Sequence, residues 1–262
     1  MANIIDRIIA HKKKEVEGYK KELEVGKLAE RVEIINEAKA VSISTHLIHS
    51  DKGIIAEFKR KSPSSGWIRQ DASAREIPIS FQNNGASALS IQTDSRFFGG
   101  SNFYLRNARL TGVTIPILYN NFIIDEYQLY MARLYGSNAV MLIASCLTKE
   151  QCRAFIDKAH ELKMEVLLEM HTEEETEYAE LLPDMCGIGN RDLANFEADT
   201  NKSFELIQRL PYESVKVSIG GLSDPNTVRQ LREAGYRGFL MGEYFMKEPD
   251  PGIALQAFLY QI

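Results

Sequence analysis

The feature that most limits what this chain can fold into is an alternation repeated eight times: a short apolar run, a loop, then a stretch with helical spacing. The runs are 54–57, 88–92, 114–118, 139–143, 165–169, 185–188, 215–219 and 238–241. Most are apolar at nearly every position rather than at alternate ones, the pattern of strands covered on both faces in a parallel sheet. Parallel neighbours need a crossover of roughly a dozen residues, usually a helix, and 125–135, 148–162, 172–181 and 224–234 read as such helices. Thr148 to Gln151 and Thr172 to Glu175 have capping-box spacing, and Asp224-Pro225 is an N-cap followed by proline in the first turn. Gly85, Gly136 and Gly235 fall where helices should stop. Eight units predict a (β/α)8 barrel. A doubly wound open sheet is the second reading, because counting units does not prove closure.

Residues 1–50 read as a helical N-terminal extension and 51–262 as the barrel, a single domain overall. Within the extension, 3–24 form a helix whose broken apolar stripe is Ile4, Ile5, Ile8, Ile9, Val16 and Tyr19, with Lys12-Lys13-Lys14 on the wet side. Cover for an anionic substrate entrance is the other reading of that basic run. Residues 26–50 continue as a second helical or irregular segment. A net charge of −5 and a pI near 5.7 argue against a nucleic-acid partner. No apolar run approaches the roughly 20 residues of a membrane span, and the first residues lack a basic region leading into an apolar core. Cys146, Cys152 and Cys186 are odd in number and lack metal-type spacing, so each reads as a small buried or half-buried residue. These features point to a cytoplasmic protein without metal or membrane partner; no cofactor, and a monomer or weak homodimer, are the further expectations.

In such a barrel the chemistry lies at the carboxyl ends of the strands. Those ends read Glu57/Lys59, Gln92/Thr93, Tyr119/Asn120, Ala144/Ser145, Glu169/His171, Gly189/Arg191, Ile219/Gly220 and Gly242/Glu243. Glu57 and Lys59 are two apart and share a face if the strand continues that far. Gly220-Gly221 after the seventh run and Gly242 after the eighth allow backbone N–H groups to approach an anion, which suggests a phosphate site; simple turn glycines are the alternative.

The stretch 54–64, Ile-Ile-Ala-Glu-Phe-Lys-Arg-Lys-Ser-Pro-Ser, is the most specific in the chain. With Ala88-Leu89-Ser90-Ile91, Phe98-Gly99-Gly100-Ser101, Phe122-Ile123-Ile124-Asp125, Asn190-Arg191-Asp192-Leu193 and Gly238-Phe239-Leu240-Met241-Gly242, it resembles the indole-3-glycerol phosphate synthase family over nearly the whole chain. The resemblance implies ring closure and decarboxylation of a phosphorylated small molecule, carboxyphenylamino-deoxyribulose phosphate, in tryptophan biosynthesis. It makes Glu57 a substrate-orienting acid, Lys59 a catalytic or phosphate-proximal cation and Glu169 the general base. Phe98 and Phe122 would line the anthranilate ring, while Ser62, Arg191, Gly221 and Gly242 would hold substrate and phosphate.

Four positions depart from that pattern. Where the family carries Lys-Asp, its principal general acid and the next residue, this chain has Asn120-Asn121. The family's Gly-Ile-Asn reads Gly187-Ile188-Gly189, and its Glu-Ser-Gly reads Ile219-Gly220-Gly221. Asn120 cannot supply a proton at neutral pH, which leaves Lys59 and Glu169 to carry the acid–base work of an impaired or altered synthase. A wider, more apolar pocket would also lower the pKa of Lys59 unless Glu57 compensates, and so favour imine formation. Restoring Lys, Asn, Glu and Ser at 120, 189, 219 and 220 together is expected to raise turnover more than Asn120→Lys alone. Another reaction on a phosphorylated ligand by a diverged or re-engineered barrel, and a non-catalytic phosphosugar binder, are the alternatives.

Overall fold

Eight short parallel strands close on one another: β1 (Ile54–Phe58), β2 (Ala88–Gln92), β3 (Ile117–Asn120), β4 (Ala139–Ile143), β5 (Glu165–Met170), β6 (Met185–Gly189), β7 (Val215–Ile219) and β8 (Gly238–Met241). Each pairs with its neighbours in sequence, and β1 pairs with β8, Ile55 opposite Leu240, so the sheet has no edge. The open-sheet reading is thereby excluded. The computed structural model describes residues 4–35, 41–192 and 197–262; Asn3, residues 36–40 and Leu193 of the readings above lie outside them.

Side chains alternate across each strand, and the alternation sorts the core into two layers. Phe58, Leu89, Ile91, Val140, Leu142, Leu168 and Phe239 face the helices. Ile55, Leu118, Met141, Leu167, Val217, Ile219 and Leu240 fill the barrel. Continuing that inward row past the strand ends gives Glu57 and Lys59, Asn120 and Phe122, Glu169 and His171, and Gly189 and Arg191. The site is therefore the upper end of the barrel's own interior.

β3 starts three residues later than the apolar run at 114–118 suggested. The backbone N–H groups of Thr114 and Ile115 donate to Gln82 Oε1 at 2.7 and 3.1 Å, and Pro116 has no N–H, so the ladder begins at Ile117. The capping box expected at Thr172 forms only in half. Thr172 Oγ1 accepts from Glu175 N at 3.3 Å, but the Glu175 carboxylate turns to His171 N at 2.6 Å, and the segment Glu174–Leu181 winds as a 3₁₀ helix. At Thr148 the reciprocal box is complete and opens the helix Lys149–Glu161.

The extension supplies α1 (Ile4–Glu22), α2 (Val25–Ile35) and α3 (Ile43–His49). α3 plugs the amino end of the barrel with Ile43 and Leu47, both fully buried. Glu165 at the start of β5 holds it there, accepting from the N–H groups of Ile43 and Ser44 at 2.6 and 3.0 Å and from the Ser42 and Ser44 hydroxyls at 2.6 Å. α1 lies over the opposite end, with Ile5 and Ile8 lining the mouth.

The basic run on α1 is not a solvated face throughout. Lys13 and Lys14 are exposed, but Lys12 is 1% exposed, ion-paired with Asp94 Oδ2 at 2.8 Å and with Glu15. Burial opposes its charge; Asp94 and Glu15 outweigh that and raise its pKa. The three cysteines are free, and burial pushes the thiols of Cys146 and Cys152 up to about 12, so neither is a nucleophile at neutral pH. Among the described residues, no helix is long and apolar enough to cross a membrane.

Candidate active site

The cavity at the carboxyl end of the barrel has two lobes that share Glu57, Lys59, Arg191 and Gly220. The first is mostly apolar, walled by Ile5, Ile8, Phe98, Phe122, Met141, Ile143, Ile219 and Leu240, with Asn120, Glu169, His171 and Ser62 also facing it. The second is lined by Gly221, Ser223, Gly242, Glu243 and Lys247. Of the residues to which the resemblance gives a role, together with Asn120, Gly189, Ile219 and Gly220, all but Gly189 line one lobe or both. Gly189 lies behind His171 and Glu169.

Glu57 is the hub. It is 4% exposed, its Oε2 2.8 Å from Lys59 Nζ and its Oε1 accepting from Asn120 Nδ2 at 2.9 Å. Asn120 Nδ2 also reaches Ser90 Oγ at 3.3 Å, and its Oδ1 accepts from Gln92 Nε2 at 3.4 Å. Asn120 is thus fixed as a hydrogen-bonding amide on the same Glu57 carboxylate that Lys59 pairs with. The carboxylate partner on which the nucleophilic reading of Lys59 turned is present: Glu57 Oε2 lies 2.8 Å from its Nζ. Gly242 makes this hub possible, because a Cβ there would lie 2.5 Å from Glu57 Oε2 and 2.8 Å from its Cβ.

Phe98 and Phe122 stand 5.9 Å apart between ring centroids, tilted by 39°. Phe98 ends the short helix Ser95–Phe98, capped by Asp94 Oδ1 accepting from Phe97 N at 2.7 Å and Phe98 N at 3.3 Å. That carboxylate is the one Lys12 pairs with, so α1 and one aromatic wall are tied to a single group. The loop after β1 folds back through an antiparallel ribbon pairing Lys61 with Trp67 and Ser62 with Gly66. Ser62 Oγ accepts from Ser65 N at 3.1 Å, which shapes that loop over the first lobe.

In the second lobe Arg191 meets Glu243 Oε2 at 2.7 Å, and Glu243 Oε1 accepts from Ser65 Oγ at 2.9 Å and Lys247 Nζ at 2.7 Å. Burial favours the protonated acid, but Lys247, Ser65, Arg191 and Lys59 together hold its carboxyl below the usual range.

His171 is the other titratable group of the first lobe. Its Nε2 lies 3.1 Å from Glu169 Oε1 and its Nδ1 3.6 Å from Glu175 Oε2. Burial works against its charge, but the two carboxylates overcome this and push its pKa up to about 9. His171 and Glu243 stood among the strand ends in the sequence without a role. The signal for His171 was its position two residues past Glu169, on the same inward row; for Glu243 it was adjacency to Gly242.

A sequence model of the family described as "Indole-3-glycerol phosphate synthase" matches residues 5–258. The chain is 51% identical to the indole-3-glycerol phosphate synthase of Bacteroides thetaiotaomicron, covering all of both chains. It is 36% identical to that of Polynucleobacter asymbioticus, over 97% of this chain and 98% of the relative. Among solved structures, 3-hexulose-6-phosphate synthase from Salmonella typhimurium superposes with a TM-score of 0.62 at 13% identity, over 80% of this chain and 99% of that one. A chain of the tryptophan synthase complex from Pyrococcus furiosus gives 0.60 at 13%, over 80% and 97%. At that identity the structural likeness speaks for the barrel alone.

Proposed function

Since this chain belongs to the indole-3-glycerol phosphate synthase family, we propose that it closes the indole ring of carboxyphenylamino-deoxyribulose phosphate and releases CO2, a step of tryptophan biosynthesis, with an acid–base set altered at Asn120, Gly189, Ile219 and Gly220. The observation that carries this reading is the two-lobed cavity with its charges on the seam. The substrate has the same division: a benzoate ring at one end, a phosphate at the other and a reactive ketose between them.

The aromatic ring fits the apolar lobe beside Phe98 and Phe122. The phosphate fits the second lobe, where Lys59 and Arg191 supply positive charge and Gly221 and Gly242 leave the backbone bare. Arg191 is held by Glu243 at 2.7 Å, so an incoming phosphate has to share or take over that guanidinium. Glu57, fixed between Lys59 and Asn120, orients the hydroxyls between the two ends.

The chemistry needs one acid and one base. The ring carbon bearing the carboxylate attacks the ketose carbonyl, whose oxygen takes a proton. The carboxylate leaves as CO2 and its bonding electrons return to the ring. The new hydroxyl then departs as water with a second proton, while a base removes one from the methylene beside nitrogen. Glu169 is the base in this reading. Lys59 lies on the seam, where its ammonium stabilises negative charge developing on the carbonyl oxygen.

A steady-state assay with that substrate, followed by indole fluorescence, tests the reading. Turnover by the parent, lost in Lys59→Ala, is expected. A Lys59→Ala variant that binds and converts the phosphosugar as well as the parent would defeat it.

A further inference from the structure

The reaction just described needs a proton donor in the ring-binding lobe, and the position where the family carries its acid holds Asn120, an amide already committed to Glu57, Ser90 and Gln92. We infer that His171 is that donor, seated against Glu169 in the space that a glycine at position 189 leaves; the inference rests on the synthase reading.

Three observations carry it. The first is place. His171 follows Glu169 by two residues on the inward row of β5, so acid and base sit side by side. It lines the ring-binding lobe and not the phosphate lobe, whereas Lys59 lines both.

The second is hydrogen bonding. His171 is 7% exposed, and neither Nε2 nor Nδ1 has an acceptor along a hydrogen-bond direction. Glu169 Oε1 at 3.1 Å is a charge contact outside hydrogen-bond geometry, and Glu175 Oε2 at 3.6 Å is beyond hydrogen-bond reach. Buried donors without acceptors are costly and rare. A ligand oxygen in the cavity would satisfy one of them.

The third is room. A Cβ at Gly189 would stand 2.2 Å from His171 Nε2, 2.5 Å from its Cδ2 and 2.8 Å from Glu169 Oε1. Any side chain there moves the ring. The departures at 120 and 189 are thereby connected: one removes an acid, and the other clears the place where a second acid stands.

The charged groups facing the imidazole are Glu169 from its own strand and Glu175 from the 3₁₀ helix; β6 presents only Gly189. Glu57, Lys59 and Arg191 line the same lobe. With its pKa pushed up to about 9, the ring is an imidazolium at neutral pH and a stronger acid than an ordinary lysine.

The proton count closes. His171 gives a proton to the carbonyl oxygen as the ring closes, and solvent recharges it after CO2 has left. It then protonates the departing hydroxyl while Glu169 takes the proton from the methylene carbon. Glu169 then releases that proton to solvent, from which His171 is recharged again, so this step leaves the net uptake unchanged. One proton is drawn from solvent per turnover, matching the carboxylate lost as CO2.

The test compares parent, His171→Asn, His171→Asn/Asn120→Lys and Gly189→Asn, with kcat and KM measured across pH and folding checked by circular dichroism. His171→Asn should lower kcat by about 10²-fold or more with little change in KM and remove the alkaline limb near pH 9. Adding Asn120→Lys to it should recover turnover, because an acid returns to the lobe; a structural role for His171 predicts no such recovery. Gly189→Asn, which keeps the histidine but displaces its ring, should also lower kcat and reads the same device if His171→Asn does not fold. An active parent with kcat unchanged in His171→Asn, or lost without recovery by lysine at 120, overturns the assignment alone. A parent that forms no indoleglycerol phosphate overturns the synthase reading beneath it.

Discussion

Asn120 and Gly189 lie on different strands and their backbones do not pair, yet the cavity couples what each does. Lysine at 120 would bring an ammonium to Glu57 in place of the amide, and with it the acid that the family resemblance expects there. Asn120→Lys should therefore raise kcat, by at most about 10²–10⁴-fold, and by less where His171 already supplies the proton. Gly189→Asn should then change sign with its background: harmful in the parent, where it displaces His171, and neutral or helpful beside Lys at 120. Kinetics on the four corners of that cycle measure the coupling; simple additivity would refute it. This revises the fourfold restoration, whose gain depends on asparagine at 189 arriving together with the lysine.

His171 also leaves a mark on stability. Its folded pKa, about 9, lies above the ordinary imidazole value of about 6.5. The stabilisation is thus fully present below about pH 6.5 and fades as the pH rises through about 9, on the order of 3 kcal/mol in all. Urea titrations should show it as a falling midpoint over that window, absent in His171→Asn. A parent whose stability is flat there contradicts the charged imidazole. Little of this was legible in the chain. Period-two spacing placed Glu57, Lys59, Glu169 and His171 on one face, but the meeting of His171 with Gly189 depends on β5 lying beside β6, which spacing alone does not reveal.

At the scale of elements, the apolar runs located seven of the eight strands to within a residue or so. The eighth, β3, slid because Gln82, from the helix Ile77–Asn83, bonds the backbone at Thr114 and Ile115. A side chain 32 residues upstream leaves no local signal. Lys12 escaped detection for the opposite reason. Within Lys12-Lys13-Lys14 it looks like its neighbours, and only the docking of α1 against Asp94 separates it from them. Lys12→Met should cost about 3–5 kcal/mol by leaving Asp94, 0% exposed, without its counter-charge. Because Asp94 also caps the helix that ends in Phe98, KM should rise as well. Equilibrium denaturation checks the first effect and steady-state kinetics the second; a loss within about 0.5 kcal/mol would show the ion pair to be dispensable.

For the whole molecule, eight repeated units foretold a barrel, and the pairing of β1 with β8 supplied what counting could not. The extension packs on the barrel: α3 plugs the amino end, α1 covers the mouth, and Tyr127 donates to the carbonyls of Tyr19 and Leu23 at 3.2 and 3.0 Å. Extension and barrel should unfold in one transition, with far-ultraviolet dichroism and Trp67 fluorescence tracing the same curve; separate midpoints would make the extension an independent unit. What separates a working synthase from a barrel that only binds phosphosugars is conversion of bound substrate. The direct measurement is a single turnover with protein in excess over carboxyphenylamino-deoxyribulose phosphate, following indole fluorescence and released CO2. Stoichiometric formation of both products, slowed in His171→Asn, is the expected result. Substrate that binds and is recovered unchanged would contradict it.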